Sequence, residues 1–236
     1  MKIVAVIVAA GSSGRMQNEI PKVFLPLCGK TVIRRTVEAF ENASLISEVI
    51  VVCRPQDREK IRTELQGLLK VTNITEGGAN RQESVEKGVL QCGCCDYLAI
   101  HDGARPLISP SLIDEVCRDA MSHQNAAPAV KVKDTIKIAD ENRFINGTPN
   151  RDFLYQVQTP QIFAYVGYRN ALQLAREQGK NFTDDCQLIE NAGGKIYLSQ
   201  GEYTNIKLTT PEDMAVGTAF AGGSKMKIGH GYDVHR

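Results

Sequence analysis

Apolar residues recur along this chain in two rhythms. Short apolar runs at 3–8, 49–53, 71–74, 97–100 and 127–132, the first of them unbroken and largely β-branched, are too short for buried helices, which predicts strands. Between them, spacings of three and four predict helices near 31–41, 56–69, 81–91 and 110–122, with Thr31 and Pro110 where helix starts belong. Strands alternating with helices imply βαβ units, and right-handed crossovers then place helices on both faces of the sheet. The expected class is α/β, with a Rossmann-like, mostly parallel sheet. From 133 to 158 the rhythm turns to alternation, in Lys133-Asp134-Thr135-Ile136-Lys137-Ile138 and Arg143-Phe144-Ile145 around Asp140-Glu141-Asn142, which predicts a protruding β-hairpin arm. Helices near 167–178, 184–192 and 211–221 and a strand near 195–199 complete a domain over 1–221. A glycine-rich linker at 222–225 then leads into 226–236, which reads as the beginning of something new.

In an open parallel sheet, ligands bind outside the carboxyl ends of the strands. Three loops of small or polar residues fall there: the Gly11 loop, Gly77-Gly78-Ala79-Asn80-Arg81, and His101-Asp102-Gly103-Ala104-Arg105-Pro106. The first runs Ala9-Ala10-Gly11-Ser12-Ser13-Gly14-Arg15-Met16 and is followed by Pro21-Lys22. Small side chains let backbone N–H groups approach an anion, Arg15 can fork onto phosphate oxygens, and Lys22 adds a mobile point charge. This is a phosphate cradle and predicts nucleotidyl transfer. It is neither a Walker A loop, since Phe24 stands where Gly29-Lys30-Thr31 would need a glycine, nor a dinucleotide fingerprint, whose middle glycine is missing.

The rest of the composition mainly excludes. A net charge of +1 over 236 residues argues against nucleic acid or an anionic membrane as partner. No apolar run approaches the roughly 20 residues of a membrane span. Seven cysteines, an odd number, with no secretory start suggest reduced thiols and a cytoplasmic location. Cys92 and Cys95 have metal-pair spacing, but no second pair completes a zinc site, so with Cys94 they read as incidental small residues.

Nine motifs in order carry a family resemblance: Ala9-Ala10-Gly11 with Arg15-Met16; Pro21-Lys22; Gly77-Gly78 with Arg81 and Ser84-Val85; the 101–106 segment; Lys133-Asp134-Thr135-Ile136-Lys137; Asn150-Arg151; Gln158-Thr159-Pro160-Gln161; Thr183-Asp184-Asp185; and Asn205-Ile206-Lys207. Over about residues 3–220 the chain resembles the 2-C-methyl-D-erythritol 4-phosphate cytidylyltransferases, of the nucleotide-diphospho-sugar transferase fold type. The resemblance implies CTP and a small polyol phosphate as substrates, with magnesium held mainly by the CTP phosphates. It implies Arg15, Lys22, Arg151 and Lys207 as catalytic residues. Ala9, Ala10, Gly11, Gly78, Ala79 and Ser84 would hold the nucleotide, and Asp102, Arg105, Thr135, Arg151, Thr159, Thr183 and Lys207 the acceptor. Thr135 and Arg151 would reach a neighbouring subunit's site through the arm, making a homodimer.

Two departures stand out. Ser13 precedes Gly14, shifting the loop's second glycine by one, and Ala79 stands where an acidic residue can occur. The tail is similar to the first residues of 2-C-methyl-D-erythritol 2,4-cyclodiphosphate synthases, in which an Asp-x-His pair, here Asp233 and His235, binds zinc together with a further histidine. That implies a bifunctional protein cut just inside its second domain, without cyclase activity in this stretch. A ribitol 5-phosphate cytidylyltransferase is the nearest rival, a sugar-1-phosphate nucleotidyltransferase a more distant one, and a non-catalytic nucleotide-binding protein the alternative from another class. The tail argues against the first, Thr135 and Arg151 against the second, and the retention of Arg15, Lys22 and Lys207 against the third.

Overall fold

The structure, a computed structural model, describes residues 1–11 and 20–222; Ser13, Gly14, Arg15, Asp233 and His235 lie outside the described residues. After β1 (Ile3–Val8) come a 3-10 turn at Lys22–Phe24, the short pair β2 (Pro26–Leu27) and β3 (Lys30–Thr31), and α1 (Val32–Asn42). The alternation continues through β4 (Glu48–Cys53), α2 (Arg58–Glu64), β5 (Val71–Glu76), α3 (Arg81–Val89), β6 (Tyr97–Asp102), α4 (Pro110–His123) and β7 (Asn125–Lys131). The arm carries β8 (Ile138–Ala139) and β9 (Ile145–Gly147), and β10 (Tyr155–Val157), β11 (Gln161–Ala164), α5 (Tyr165–Glu177), α6 (Asp185–Asn191), β12 (Tyr197–Gln200) and α7 (Pro211–Ala221) follow.

One eight-stranded sheet runs β10-β7-β11-β6-β1-β4-β5, with β12 parallel to β7. β1 lies between β4 and β6, parallel to both, and Ile3 through Ile7 have no exposed surface. A strand covered on both faces must be apolar at every position, which is why this one reads as an unbroken run. Its alternate side chains feed two cores. Ile3, Ala5 and Ile7 pack with Ile33, Val37 and Phe40 of α1 and Leu112, Ile113 and Val116 of α4. Val4 and Val6 pack on the other face with Val85 and Val89 of α3, Tyr168 and Leu172 of α5, and Leu188 and Ile189 of α6. Each such buried aliphatic side chain contributes about 1.5–3 kcal/mol. Helices therefore cover both faces, as expected. The contact of α3 is so close that a Cβ on Gly88 would stand 2.5 Å from Val6 Cγ1 and 2.7 Å from Val52 Cγ2.

Local signals account for the helix ends. The Thr31 hydroxyl accepts the Arg34 N–H, whereas at α4 the cap is Ser109, with Pro110 one position inside. The expected helix over 56–69 is shorter: a 3-10 turn at Pro55–Asp57 leads into α2, which ends at Glu64. The strands β10 and β11 lie outside the expectations. Both run antiparallel to β7 in succession, and β11 also pairs antiparallel with β6. The arm is a short hairpin whose turn is closed by Asp140 Oδ1, which accepts the N–H groups of Asn142 and Phe144.

From β1 the chain winds outward to β4 and β5, then crosses back to add β6 on the opposite side of β1. The order reverses between β1 and β6, so their carboxyl ends open a crevice. Val8 and Asp102 are partners in the register, which puts the end of the Ala9 strand beside the Asp102 carboxylate. Among the described residues no helix is long and apolar enough to cross a membrane.

Candidate active site

A cleft of about 350 Å³ opens at this crevice. One wall is the chain leaving β1, at Ala9, Ala10 and Gly11; the loop after β5, at Gly78, Ala79 and Asn80, forms another. Lys22, Arg81, Asp102 and Lys207 supply its charge. The glycine at 77 is required by close approach: a Cβ there would lie 2.6 Å from Ala10 Cβ and 2.8 Å from Ser84 Oγ.

Asp102 is the hub. Its Oδ2 lies 2.8 Å from Lys207 Nζ and 3.8 Å from Arg105 Nε, and its Oδ1 lies 3.4 Å from Arg81 Nε. Burial alone would raise its pKa, but Lys207, Arg81 and Arg105 outweigh that and hold it far below the usual carboxylate range. Arg81 is shared. Its Nη1 is 2.6 Å from Asp185 Oδ2, and the Tyr168 hydroxyl donates to Asp185 Oδ1 at 2.6 Å. Burial would lower the Arg81 pKa, yet Asp185 and Asp102 raise it, so the guanidinium stays charged in the wall of the cleft. With Lys22, Arg81, Arg105 and Lys207 against Asp102 and Asp185, cations outnumber anions, which suits a polyanionic ligand.

A buried relay fixes the hub from below. His101 has no exposed surface; its Nε2 lies 3.3 Å from the Arg105 carbonyl, and its Nδ1 lies 2.9 Å from Thr159 Oγ1. A carbonyl can only accept, so Nε2 carries the proton and Nδ1 accepts from the Thr159 hydroxyl. Thr159 Oγ1 in turn accepts the Asp102 N–H at 3.2 Å. Burial pushes His101 down to about 3, so the ring is neutral. Asn205 Nδ2 donates to the Thr159 carbonyl at 3.0 Å, and the Leu208 N–H donates to the Ala104 carbonyl at 2.8 Å, which carries Lys207 between them to Asp102.

The structure thus brings Ala9, Ala10, Gly11, Lys22, Gly78, Ala79, Ser84, Asp102 and Lys207 to one cleft. It places the other expected residues elsewhere. Thr159 is buried beneath the cleft with its hydroxyl engaged, because it leads two residues later into β11, which runs along β6. Arg105 braces the loop, donating from Nη1 to the Asn205 carbonyl at 2.7 Å. Ser84 Oγ is spent on the loop itself, accepting the Gly78 N–H at 3.0 Å and donating to the Asn80 carbonyl at 2.8 Å. Thr183 is exposed ahead of α6, and Thr135 and Arg151 are exposed on the arm, where Arg151 Nη1 donates to the Lys133 carbonyl. Sequence reasoning missed the site roles of Arg81, Asp185 and His101. A signal existed for Arg81: a cation at the start of a helix opposes the helix dipole and calls for a nearby anion.

An α/β sheet with a small-residue loop after β1 and a cation-rich cleft at the reversal of strand order is the architecture of a nucleotidyltransferase. Comparison with known proteins narrows this. Residues 3–222 match the sequence profile of the family described as 2-C-methyl-D-erythritol 4-phosphate cytidylyltransferase. A protein of that name from Caldanaerobacter subterraneus subsp. tengcongensis is 42% identical over 224 residues, covering 93% of this chain and 99% of the relative. A bifunctional enzyme IspD/IspF from Desulforudis audaxviator is 39% identical over 235 residues, covering 98% of this chain and 60% of the relative. Among solved structures, 4-diphosphocytidyl-2C-methyl-D-erythritol synthase from Anaerococcus prevotii superposes with a TM-score of 0.85 at 29% identity, over 94% of this chain and 98% of that one. The chain belongs to the 2-C-methyl-D-erythritol 4-phosphate cytidylyltransferase family.

Proposed function

We propose that the cleft transfers a cytidylyl group from CTP to 2-C-methyl-D-erythritol 4-phosphate and releases pyrophosphate. The observation that carries this reading is the convergence of Arg81 and Lys207 on one buried carboxylate, with Lys22 lining the same cleft of small-residue backbone. An oxygen of the acceptor's phosphate attacks the α-phosphorus of CTP. The bond from that phosphorus to the bridging oxygen of the β-phosphate breaks, and pyrophosphate leaves with the electron pair. Charge accumulates on a five-coordinate phosphorus, so catalysis consists of positioning and charge neutralisation. Lys22 takes the triphosphate, together with Arg15 of the preceding loop. The N–H groups of Ala10 and Gly11 have no hydrogen-bond partner among the described residues and serve as donors to the nucleotide. Lys207 positions the attacking phosphate, and Asp102 accepts from the polyol hydroxyls.

The described residues of the cleft do not form a cage for a divalent ion. Asp102 is the carboxylate that lines it, and both of its oxygens face cations. Magnesium would therefore be held mainly by the nucleotide's phosphates and would supply charge neutralisation for the leaving group. Thr135 and Arg151 act in the cleft of a second copy. Support comes from the arm and its base, which expose Phe144 at 71% and Phe153 at 80%, apolar surface suited to burial between subunits. The tail from 226 is the start of a cyclodiphosphate synthase-like domain. Two alignments support this: the family profile ends at 222, whereas the match to the bifunctional relative takes in 98% of the chain.

The test is pyrophosphate release from CTP and magnesium, with methylerythritol phosphate and ribitol 5-phosphate offered separately. Release with methylerythritol phosphate alone is the expected result. Release with ribitol 5-phosphate alone overturns the choice of acceptor.

A further inference from the structure

In the loop between β5 and α3, the Gly77 N–H goes to the Cys53 carbonyl of β4, and the next two N–H groups turn to the helix. Gly78 N–H goes to Ser84 Oγ at 3.0 Å, and Ala79 N–H goes to Glu83 Oε2 at 2.8 Å. The second Glu83 oxygen accepts from Asn80 Nδ2 at 2.8 Å, and the Glu83 N–H returns to Asn80 Oδ1 at 2.9 Å, so the carboxylate is committed at both ends. A trans peptide carries its C=O and N–H on opposite sides. With the Ala79 N–H turned back onto Glu83, the Gly78 carbonyl of the same peptide faces away from Glu83, and both residues line the cleft. Cytosine presents a 4-amino donor on the edge where uracil presents a 4-keto acceptor. An outward carbonyl accepts from the first and repels the second.

We infer that Glu83 is a positioning residue that sets the preference for cytosine over uracil by locking the Gly78–Ala79 peptide with its carbonyl toward the base. The inference rests on the cytidylyl-transfer reading above. Without the lock, one peptide rotation would turn the N–H into the cleft and present a donor that suits uracil. Glycine at 78 permits that rotation, having no Cβ to obstruct it. The fit of loop to lock is tight: a Cβ on Gly78 would come within 2.3 Å of Glu83 Cβ and 2.8 Å of its Oε2. Ala79 has no side chain that could take over the task. Glu83 itself is exposed and does not line the cleft, so it acts through the peptide and not by touching the nucleotide.

The experiment compares CTP with UTP, by kcat/KM with methylerythritol phosphate and by dissociation constants without acceptor, in the parent, Glu83→Ala, Glu83→Ser and Glu83→Gln. Losing the lock in Glu83→Ala, or in Glu83→Ser, whose side chain is too short to reach Ala79, is expected to shrink the CTP:UTP ratio by about tenfold or more. Glu83→Gln keeps an oxygen for the Ala79 N–H and is expected to retain most of the preference. A ratio unchanged in both short variants overturns the inference, as does a parent that binds the two nucleotides equally. A parent that prefers CTP in binding but fails with methylerythritol phosphate counts against the acceptor alone. The ratio separates the lock from simple damage, because damage lowers both nucleotides together.

Discussion

Protonating His101 should cost stability, and the cost can be read as a slope. The imidazole is buried, accepts at Nδ1 from Thr159 and donates from Nε2 to the Arg105 carbonyl, so a second proton would displace the Thr159 hydroxyl proton and place a charge out of reach of water. Its folded pKa is pushed down to about 3, against roughly 6.5 for an unfolded histidine. Between those values the unfolded chain binds more protons than the folded one. Stability from this group is therefore complete above pH 6.5 and is lost progressively as pH falls toward 3. Integrating the linkage from pH 7.5 to pH 5 gives a loss of about 2 kcal/mol, or about 4–8 °C in Tm for a domain of this size. Urea unfolding at half-unit steps measures it, with His101→Gln as reference, since glutamine can keep a donor and an acceptor without titrating. Subtracting the two profiles cancels the carboxylates common to both. The parent should lose about 2 kcal/mol more than the variant over this window. Parallel profiles would refute the buried neutral ring and, with it, the relay that fixes Asp102.

Three further outcomes test other parts of the site. Lys22→Ala should lower pyrophosphate release by about 10²–10³-fold, as for loss of one preorganised charge in a transition state, while leaving the melting temperature nearly unchanged; full activity would remove Lys22 from the mechanism. Asp185→Asn leaves Arg81 short of its 2.6 Å partner inside the protein and should destabilise by about 3–5 kcal/mol in urea melts; a change below 1 kcal/mol would mean that Arg81 is not held as described. If the arm joins two copies as proposed, the parent is a dimer in light scattering and Phe144→Glu, which places charge on the exposed arm, converts it to monomer with a parallel loss of turnover; a monomeric parent, or a dimer that persists in the variant, would overturn the arm contact.

What could be read from the sequence follows from how local each signal is. β1 and the Gly11 loop declare themselves within a dozen residues, because a strand buried on both faces has no polar alternation to obscure it and must end before the loop. The strands β10 and β11 gave no such signal. They have three and four residues, and the Gln158-Thr159-Pro160 segment between them looks like a turn. The same holds for the site. Lys22 was recognisable from the loop it follows, whereas Asp185 lies 104 residues from Arg81, and only the fold, by bringing the first residues of α3 and α6 together, makes them a pair. Thr159 was legible as part of a motif, but its depth was not: the hydroxyl points down to His101 because β11 is tied into the sheet against β6.

The closure of the cleft by Lys207 has a consequence for the chain as it is made on the ribosome. Asp102, Arg81 and the two small-residue loops all precede residue 103, and the central strands can pair as soon as they emerge. The lysine that sits on Asp102 is anchored through Asn205 to Thr159 and through Leu208 to Ala104, and Leu208 packs with Leu27 and Val32. A nascent chain therefore carries the Asp102 carboxylate through half of its synthesis without its nearest cation. The cleft is complete only once nearly the last segment of the domain has docked, so a product terminated before residue 207 lacks the lysine that sits on Asp102.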